Sequence, residues 1–339
     1  MKKITRIIIV LLCVGILGGI YLVYKAINKN PDYIYTRRAV YTKLEDGTLE
    51  YFRYTGDDPV VNIPEKVWGR KVTQIGAVCF TWDDTRYPLP EYQVHIPDTV
   101  TVIDASAFER CRDLTITGAR NIEKIGHSAF AGCSFKTPFP FSDNLKVIDR
   151  WAFASAEGIG EISLSEHLEY IGHSAFLRAD VESVEIPSNV SYVGECAFEE
   201  TKWFEAQEGY LTVGQNILIK FPDEETVITP DGVRVVRVCD ASGHKSARNI
   251  YIRPSVQIIE TPIMSLYKVD DVDEIKIYIP TSVDTIKTDF YTENKMVRYG
   301  MEKVTFIVEV DSYAEEYARE MSEKYKSRYE VVDKIEYPE

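Results

Sequence analysis

An aliphatic residue followed five positions later by Phe recurs at Ile103/Phe108, Ile125/Phe130, Ile148/Phe153, Ile171/Phe176 and Val193/Phe198. The intervals between the aliphatic residues are 22, 23, 23 and 22. A unit of this size cannot bury its apolar face alone, so a period this regular predicts a solenoid in which each turn stacks on copies of itself. The period extends back to Ile75/Phe80 and forward through worn copies around Val213, Val236, Ile259 and Ile286, which makes about ten turns.

Several copies also carry an alternating segment that ends at or near proline: Val61-Asn62-Ile63-Pro64, Val94-His95-Ile96-Pro97, Val184-Glu185-Ile186-Pro187 and Ile277-Tyr278-Ile279-Pro280. Alternation with period two predicts a short strand with one buried face, and proline ends it by removing a ladder donor. Strands repeated in one sense pair in parallel about 4.8 Å apart, so ten turns predict a sheet about 50 Å long. The Phe column becomes a buried spine.

The phrase Ile125-Gly126-His127-Ser128-Ala129-Phe130-Ala131-Gly132-Cys133, with its strand of the Ile-Pro type, resembles the BspA-like leucine-rich repeats of bacterial cell-surface proteins. The resemblance spans about residues 39–325. It takes in an irregular insert from Thr201-Lys202-Trp203 through Gly214, Leu218 and Phe221, and the closing segment Ser312-Tyr313-Ala314-Glu315-Glu316-Tyr317-Ala318. It implies a non-enzymatic module that binds protein or glycan partners at the cell surface, as in adhesion.

The ends read as caps, which an open solenoid needs. Ala39–Leu44 and Leu49–Tyr54 alternate around Asp46-Gly47, a hairpin signal. Ser312 with Glu315 forms a capping box, and Ala314, Tyr317, Ala318, Met321 and Tyr325 share one helical face. The domain reading is therefore an N-terminal anchor over 1–30, a hairpin cap over 31–70, regular repeats over 71–200, the insert over 201–222, degenerate repeats over 223–305 and a helical cap over 306–339.

Residues 7–24 carry no charge and would be about 27 Å long as a helix, near the roughly 30 Å of a hydrocarbon core. They read as a single transmembrane signal anchor, with a cleaved signal peptide as the alternative. Basic residues flank both sides, so charge does not orient the segment. The family resemblance points the solenoid outward. Five of the 39 basic residues and none of the 53 acidic ones lie in the first 30, which leaves the remainder at a net charge of −19. Such a surface repels phosphate backbones and argues against a nucleic-acid partner.

Cys79, Cys111, Cys133, Cys196 and Cys239 follow the anchor. Cys111 and Cys133 stand in a column continued by Ala156, Ala179 and Thr201. A column that accepts Ala and Thr calls for a small buried side chain, so the five read as packed thiols rather than disulfides or metal ligands. Free thiols are ordinary in the cytoplasm, which keeps a cytoplasmic interaction platform open as an alternative.

Chemistry is sparse. The column Ala105, His127, Arg150, His173, Glu195 reads as a variable solvent-facing position, with the two histidines too far apart for one metal ion. Asp240, Ser242 and His244 hold the letters of a triad on one polar stretch, but nothing orients them. Asp270, Asp271, Asp273 and Glu274 lack the spacing of a calcium loop, and Asn189-Val190-Ser191 is a lone sequon. No catalytic residue, metal or cofactor is assigned. Two binding surfaces are. One is the outward row of the strands: Asn62, His95, Thr115, Ser163, Glu185, Tyr251 and Tyr278. The other comes from two insertions, in the 28-residue step from Ile75 to Ile103 and the 27-residue step from Ile259 to Ile286, the first of which bears Trp82, Tyr87 and Tyr92 with Pro88 and Pro90. A structural scaffold organising other envelope proteins is the alternative role.

Overall fold

The computed structural model describes residues 32–81, 91–238, 247–260, 274–287 and 303–338. They form a stack of turns, and a regular turn contributes two short strands to two separate ladders. One strand is the expected alternating segment, such as Gln93–Ile96 or Ile275–Ile279, ending just before Pro97 or Pro280. The other is a two-residue strand at the aliphatic phrase itself: Val102–Ile103, Lys124–Ile125, Val147–Ile148, Tyr170–Ile171 and Tyr192–Val193, each parallel to the next. Sequence reading does not predict this second ladder, because two residues are too few to show alternation.

The Phe column is the spine of the core. Phe80, Phe108, Phe130, Phe153, Phe176 and Phe198 stack ring on ring, with centroids 4.6, 5.1, 5.2, 5.2 and 5.1 Å apart. The phrase reaches this geometry through a left-handed residue two positions before each Phe, at Ser106, Ser128, Trp151, Ser174 and Cys196. The small-residue column lies behind it, with Cys111, Cys133, Ala156, Ala179 and Thr201 all buried.

The hairpin Ala39–Lys43 with Leu49–Tyr54 heads the two-residue ladder, extended outward by the antiparallel strand Tyr33–Tyr35. At the other end the helix Tyr313–Tyr325 is capped by Ser312, whose hydroxyl accepts from the Glu315 N–H, and buries Ala314, Tyr317, Ala318 and Met321. A further strand, Arg328–Val332, pairs in parallel with Val304–Glu309 beyond it.

The ladder of longer strands is not continuous, contrary to the unbroken sheet expected from the period. It falls into three pieces: Val60–Asn62 to Thr115–Gly118, Gly160–Ser163 with Val181–Glu185, and Thr226–Ile228 to Arg328–Val332. The inward residues at the centres of successive strands are Ile116 and Ile162 across the first break, and Val184 and Val227 across the second. Each interval is two repeat periods, so one strand is missing at each break. The apolar core divides near the second break, into one cluster over Ile34–Ile219 and another over Leu218–Met321.

The two breaks have different causes. At the first, the strand is reduced to isolated bridges of Leu114 with Phe135 and Ser134 with Glu157, and Phe135, Phe139 and Phe141 fold onto Phe130 and Phe153. At the second, Thr201 ends the small-residue column with a hydroxyl. That hydroxyl accepts from the Phe204 N–H at 3.1 Å, which starts the short helix Lys202–Glu205 where a strand would otherwise begin.

Among the described residues no helix is long and apolar enough to cross a membrane. The anchor expected at 7–24 lies outside them, as do Trp82 and Tyr87, the Asp240-Ser242-His244 stretch and Asp270, Asp271 and Asp273.

Candidate functional site: the outward face of the longer strands

The outward positions of the longer strands do form rows, but the rows are local. Asn62 pairs with His95, and His95 with Thr117, whose hydroxyl lies 3.2 Å from the His95 Nδ1. Thr115 is opposite Gln93 instead, two residues back on the same face. The offset arises because Thr115-Ile116-Thr117 presents a threonine at either outward position; the pairing of Ile116 with Val94 selects Thr117 for the His95 row.

Ser163 and Glu185 are paired neighbours and both exposed. They line a cleft of about 600 Å³ together with Glu161, Glu166, Ser183 and Trp203. Three carboxylates of this cleft, on Glu161, Glu166 and Glu185, have no cationic partner among the described residues. Glu182 beside them is met by Lys202, which also pairs with Asp180 at 2.8 Å. The cleft combines unneutralised negative charge, two hydroxyls and one half-buried indole, and Trp203 is a site residue that the strand pattern misses. Its signal is its place in the insert, one residue after Lys202.

Tyr251 and Tyr278 stack face to face, with centroids 3.9 Å apart. The chain's end returns over them: Tyr337 lies 6.0 Å from Tyr251, and its hydroxyl donates to the Ile252 C=O at 2.8 Å. Burial, followed by the Tyr278 hydroxyl, pushes the Tyr251 phenol up to about 12. Nothing in the period could place residue 337 there, since the contact spans 85 positions. Tyr92, expected on an aromatic binding loop, is instead buried against Phe80 and Tyr54.

The column read as solvent-facing changes character along its length. Trp151 packs between His127 and His173, at 5.3 and 5.9 Å. Burial, then the Arg150 charge, holds His173 below its ordinary value. Glu195 is buried, because the insert and the following turns close over it. Burial pushes its carboxyl up to about 8, against the lowering effect of Arg237 and with Glu260 adding to the rise. No group of three or more metal-ligating side chains occurs among the described residues.

The cysteines also divide. Cys79, Cys111 and Cys133 are buried free thiols, and burial raises all three. Cys196 is disulfide-bonded, contrary to its reading as a packed thiol, and its partner lies outside the described residues. It stands at the left-handed position of the phrase rather than in the small-residue column, so it is half-buried and its side chain is not held in the spine.

Residues 73–205 match the BspA type leucine rich repeat region in six copies. Over this stretch the repeats match the BspA type. The matched stretch is narrower than the span 39–325 anticipated, and it stops where the helix Lys202–Glu205 interrupts the turns. No curated protein matches the chain in sequence. Among solved structures the chain is similar to a leucine rich cell surface protein from Faecalibacterium prausnitzii A2-165, at 18% identity and a TM-score of 0.40, covering 78% of this chain and 96% of that one. It is also similar to a leucine-rich repeat protein from Eubacterium ventriosum, at 19% identity and 0.44, covering 75% and 67%. The pneumococcal vaccine antigen PcpA is 14% identical at 0.42, covering 89% and 98%.

Proposed function

We propose that this chain is an outward-facing, non-enzymatic recognition module, held at the membrane through residues 7–24, that binds protein or glycan partners at the cell surface. The observation that carries the reading is the cleft over Ser163, Glu185 and Trp203 on the longer-strand face. Solenoid sheets offer extended surfaces of this kind to partners, and Trp203 is of the residue type most enriched at binding hot spots. The BspA-type repeats support a place at the surface. The disulfide at Cys196 supports it independently, since such bonds persist in oxidising compartments.

Protease treatment of intact cells carrying a C-terminally tagged copy tests the orientation, with lysed cells as the control. Loss of the tag from intact cells is expected; a tag protected until lysis would put the solenoid in the cytoplasm and end the surface reading. Arrays of matrix proteins and glycans then test recognition, with Trp203→Ala expected to weaken the signal at least tenfold. Binding unchanged by Trp203→Ala and by Glu185→Gln would remove the cleft as the site.

A further inference from the structure

The second break in the longer-strand ladder leaves Val184–Ile186 without a pairing strand, while the helix Lys202–Glu205 packs against the start of that strand through Lys202 with Asp180 and Glu182. In intact turns, the buried residue just before the proline position donates its N–H to the next turn: Ile63 to the His95 C=O at 3.1 Å, and Ile252 to the Tyr278 C=O at 3.0 Å. Ile186 holds the same place before Pro187, but among the described residues no carbonyl accepts from its N–H. Main-chain groups alternate along a parallel strand. Outward residues face the preceding strand, as where Thr115 donates to the Tyr92 carbonyl. Ser183 and Glu185 therefore face Gly160–Ser163, and the main-chain groups of Val184 and Ile186 face the missing strand.

Their side chains report the same gap. The equivalent residues Val94, Ile96, Ile116 and Ile162 are at most 4% exposed, whereas Val184 and Ile186 are only partly buried. The aromatic plug at the first break leaves no such exposure, since Ile116 and Ile162 on its two sides are both covered. On the far side of the second break, the Ile228 N–H donates to the Tyr210 hydroxyl at 3.0 Å, so that edge is already closed by a side chain.

We propose that the edge Val184–Ile186 is a strand-addition site for an extended peptide that alternates apolar and basic residues. This rests on the recognition reading and names its partner class. Apolar side chains of such a segment would point inward and cover Val184 and Ile186. The alternate side chains would point outward beside Ser183 and Glu185, where the unneutralised Glu185 carboxylate, with Glu161 one strand further back, selects Lys or Arg. Main-chain pairing gives the affinity and the alternation gives the selectivity. Trp203 walls the cleft at this edge, its ring 5.0 Å from Phe198.

The test uses the full chain and a synthetic peptide of about ten residues alternating Lys with Val. Two isomers are N-methylated on alternate amides, one at every Lys and one at every Val. They carry the same charge, but each can pair along only one edge. The unmodified peptide is expected to bind, one isomer to bind at least tenfold more weakly, and the other to bind like the parent. Glu185→Lys, on the exposed face, is expected to weaken the parent peptide at least tenfold. Equal binding of both isomers would reduce the contact to charge alone and overturn strand addition, as would no binding at all. A silent peptide beside a positive protein or glycan array would overturn this inference and leave the recognition reading standing. Isomer-dependent peptide binding beside a blank array would support the edge while removing the wider partner class.

Discussion

The guanidinium of Arg237 lies over the Tyr192 ring, 3.9 Å from its centroid, and its charge is met by the buried carboxylate of Glu260. Tyr192 belongs to the last regular turn before the insert and Arg237 to the turns after it. The pair therefore spans the place where the longer-strand ladder is broken and the apolar core divides. Continuity that the missing strand would have supplied is provided on the other face by a cation held between a ring and a carboxylate.

Arg237→Ala should accordingly cost about 3 kcal/mol, because it leaves Glu260 buried with only Lys287 at 2.8 Å to neutralise it. Arg237→Lys should recover part of this, since a lysine keeps the charge but loses the planar stack. Denaturant melts of the three proteins check it; equal midpoints would remove the junction's role.

Glu195 beside this junction makes stability depend on pH. Its folded carboxyl titrates at about 8, well above the ordinary value of 4.5, so between those limits the folded chain holds a proton that the unfolded chain releases. Stability then falls as pH rises, because the unfolded state binds fewer protons. The contribution is fully present below about pH 4.5 and lost by about pH 8, and a shift of this size corresponds to roughly 3 to 5 kcal/mol. Burial is the principal cause, with Arg237 opposing it and Glu260 adding to it. His173, 3.8 Å away, is itself held below its ordinary value by burial and then by Arg150. Glu195→Gln should flatten this part of the pH profile, measured as Tm at pH 5 and pH 8; a slope the same as in the parent would exclude Glu195.

The spine gives a prediction that is independent of charge. Phe153 stacks on Phe130 and Phe176 and also receives Phe139 and Phe141 at 5.3 and 5.4 Å. Phe153→Ala should destabilise by about 3 to 5 kcal/mol. Phe153→Leu should cost less than half as much, because it leaves a smaller cavity. Thermal unfolding distinguishes the two, and similar losses would mean that the stack rather than its volume is what the core requires.

The same contrast between periodic and local features decides what can be read from the sequence. Ile103 to Val193 and Phe108 to Phe198 repeat because every turn faces the same packing problem, so spine, turn number and parallel sense are legible. Thr115 is misplaced by one register step because Thr117 offers the same polarity. The strand missing after Val181–Glu185 is not legible, because Lys202-Trp203-Phe204-Glu205 holds no periodic signal against a strand; the Thr201 cap decides it. Glu195 sits in a column with Ala105 and Arg150, and only tertiary closure by later turns buries it. The Ser163 and Glu185 half of the cleft follows from alternation, whereas Trp203 comes from the interruption of that alternation.

Gly118 tests how tightly successive turns approach. Its φ is +78°, and a Cβ there would stand 2.0 Å from the Ile96 carbonyl oxygen of the preceding turn. Backbone, not a flexible side chain, is what it would meet. Gly118→Ala should therefore cost about 2 to 3 kcal/mol, more than loss of a left-handed glycine alone. Gly209→Ala is the control, since it has a similar φ of +72° but nothing within 4 Å; it should cost only about 1 kcal/mol. Matching losses in the two would mean that conformation alone, and not contact between turns, sets the penalty.

The thiols give the last prediction. Cys79, Cys111 and Cys133 are 0, 0 and 1% exposed, and the Cys133 Sγ donates to the Phe108 carbonyl at 2.9 Å. Burial raises all three thiols, so neither access nor thiolate is present in the folded chain. A water-soluble disulfide reagent should label none of them in the native protein and all of them in denaturant, read by mass. Because exposure requires opening of the spine, Phe153→Ala should increase the labelling rate of Cys133 by about tenfold for each 1.4 kcal/mol of stability lost. Rapid labelling of the native parent would show that the small-residue column opens without the spine and would separate two elements that the packing makes one.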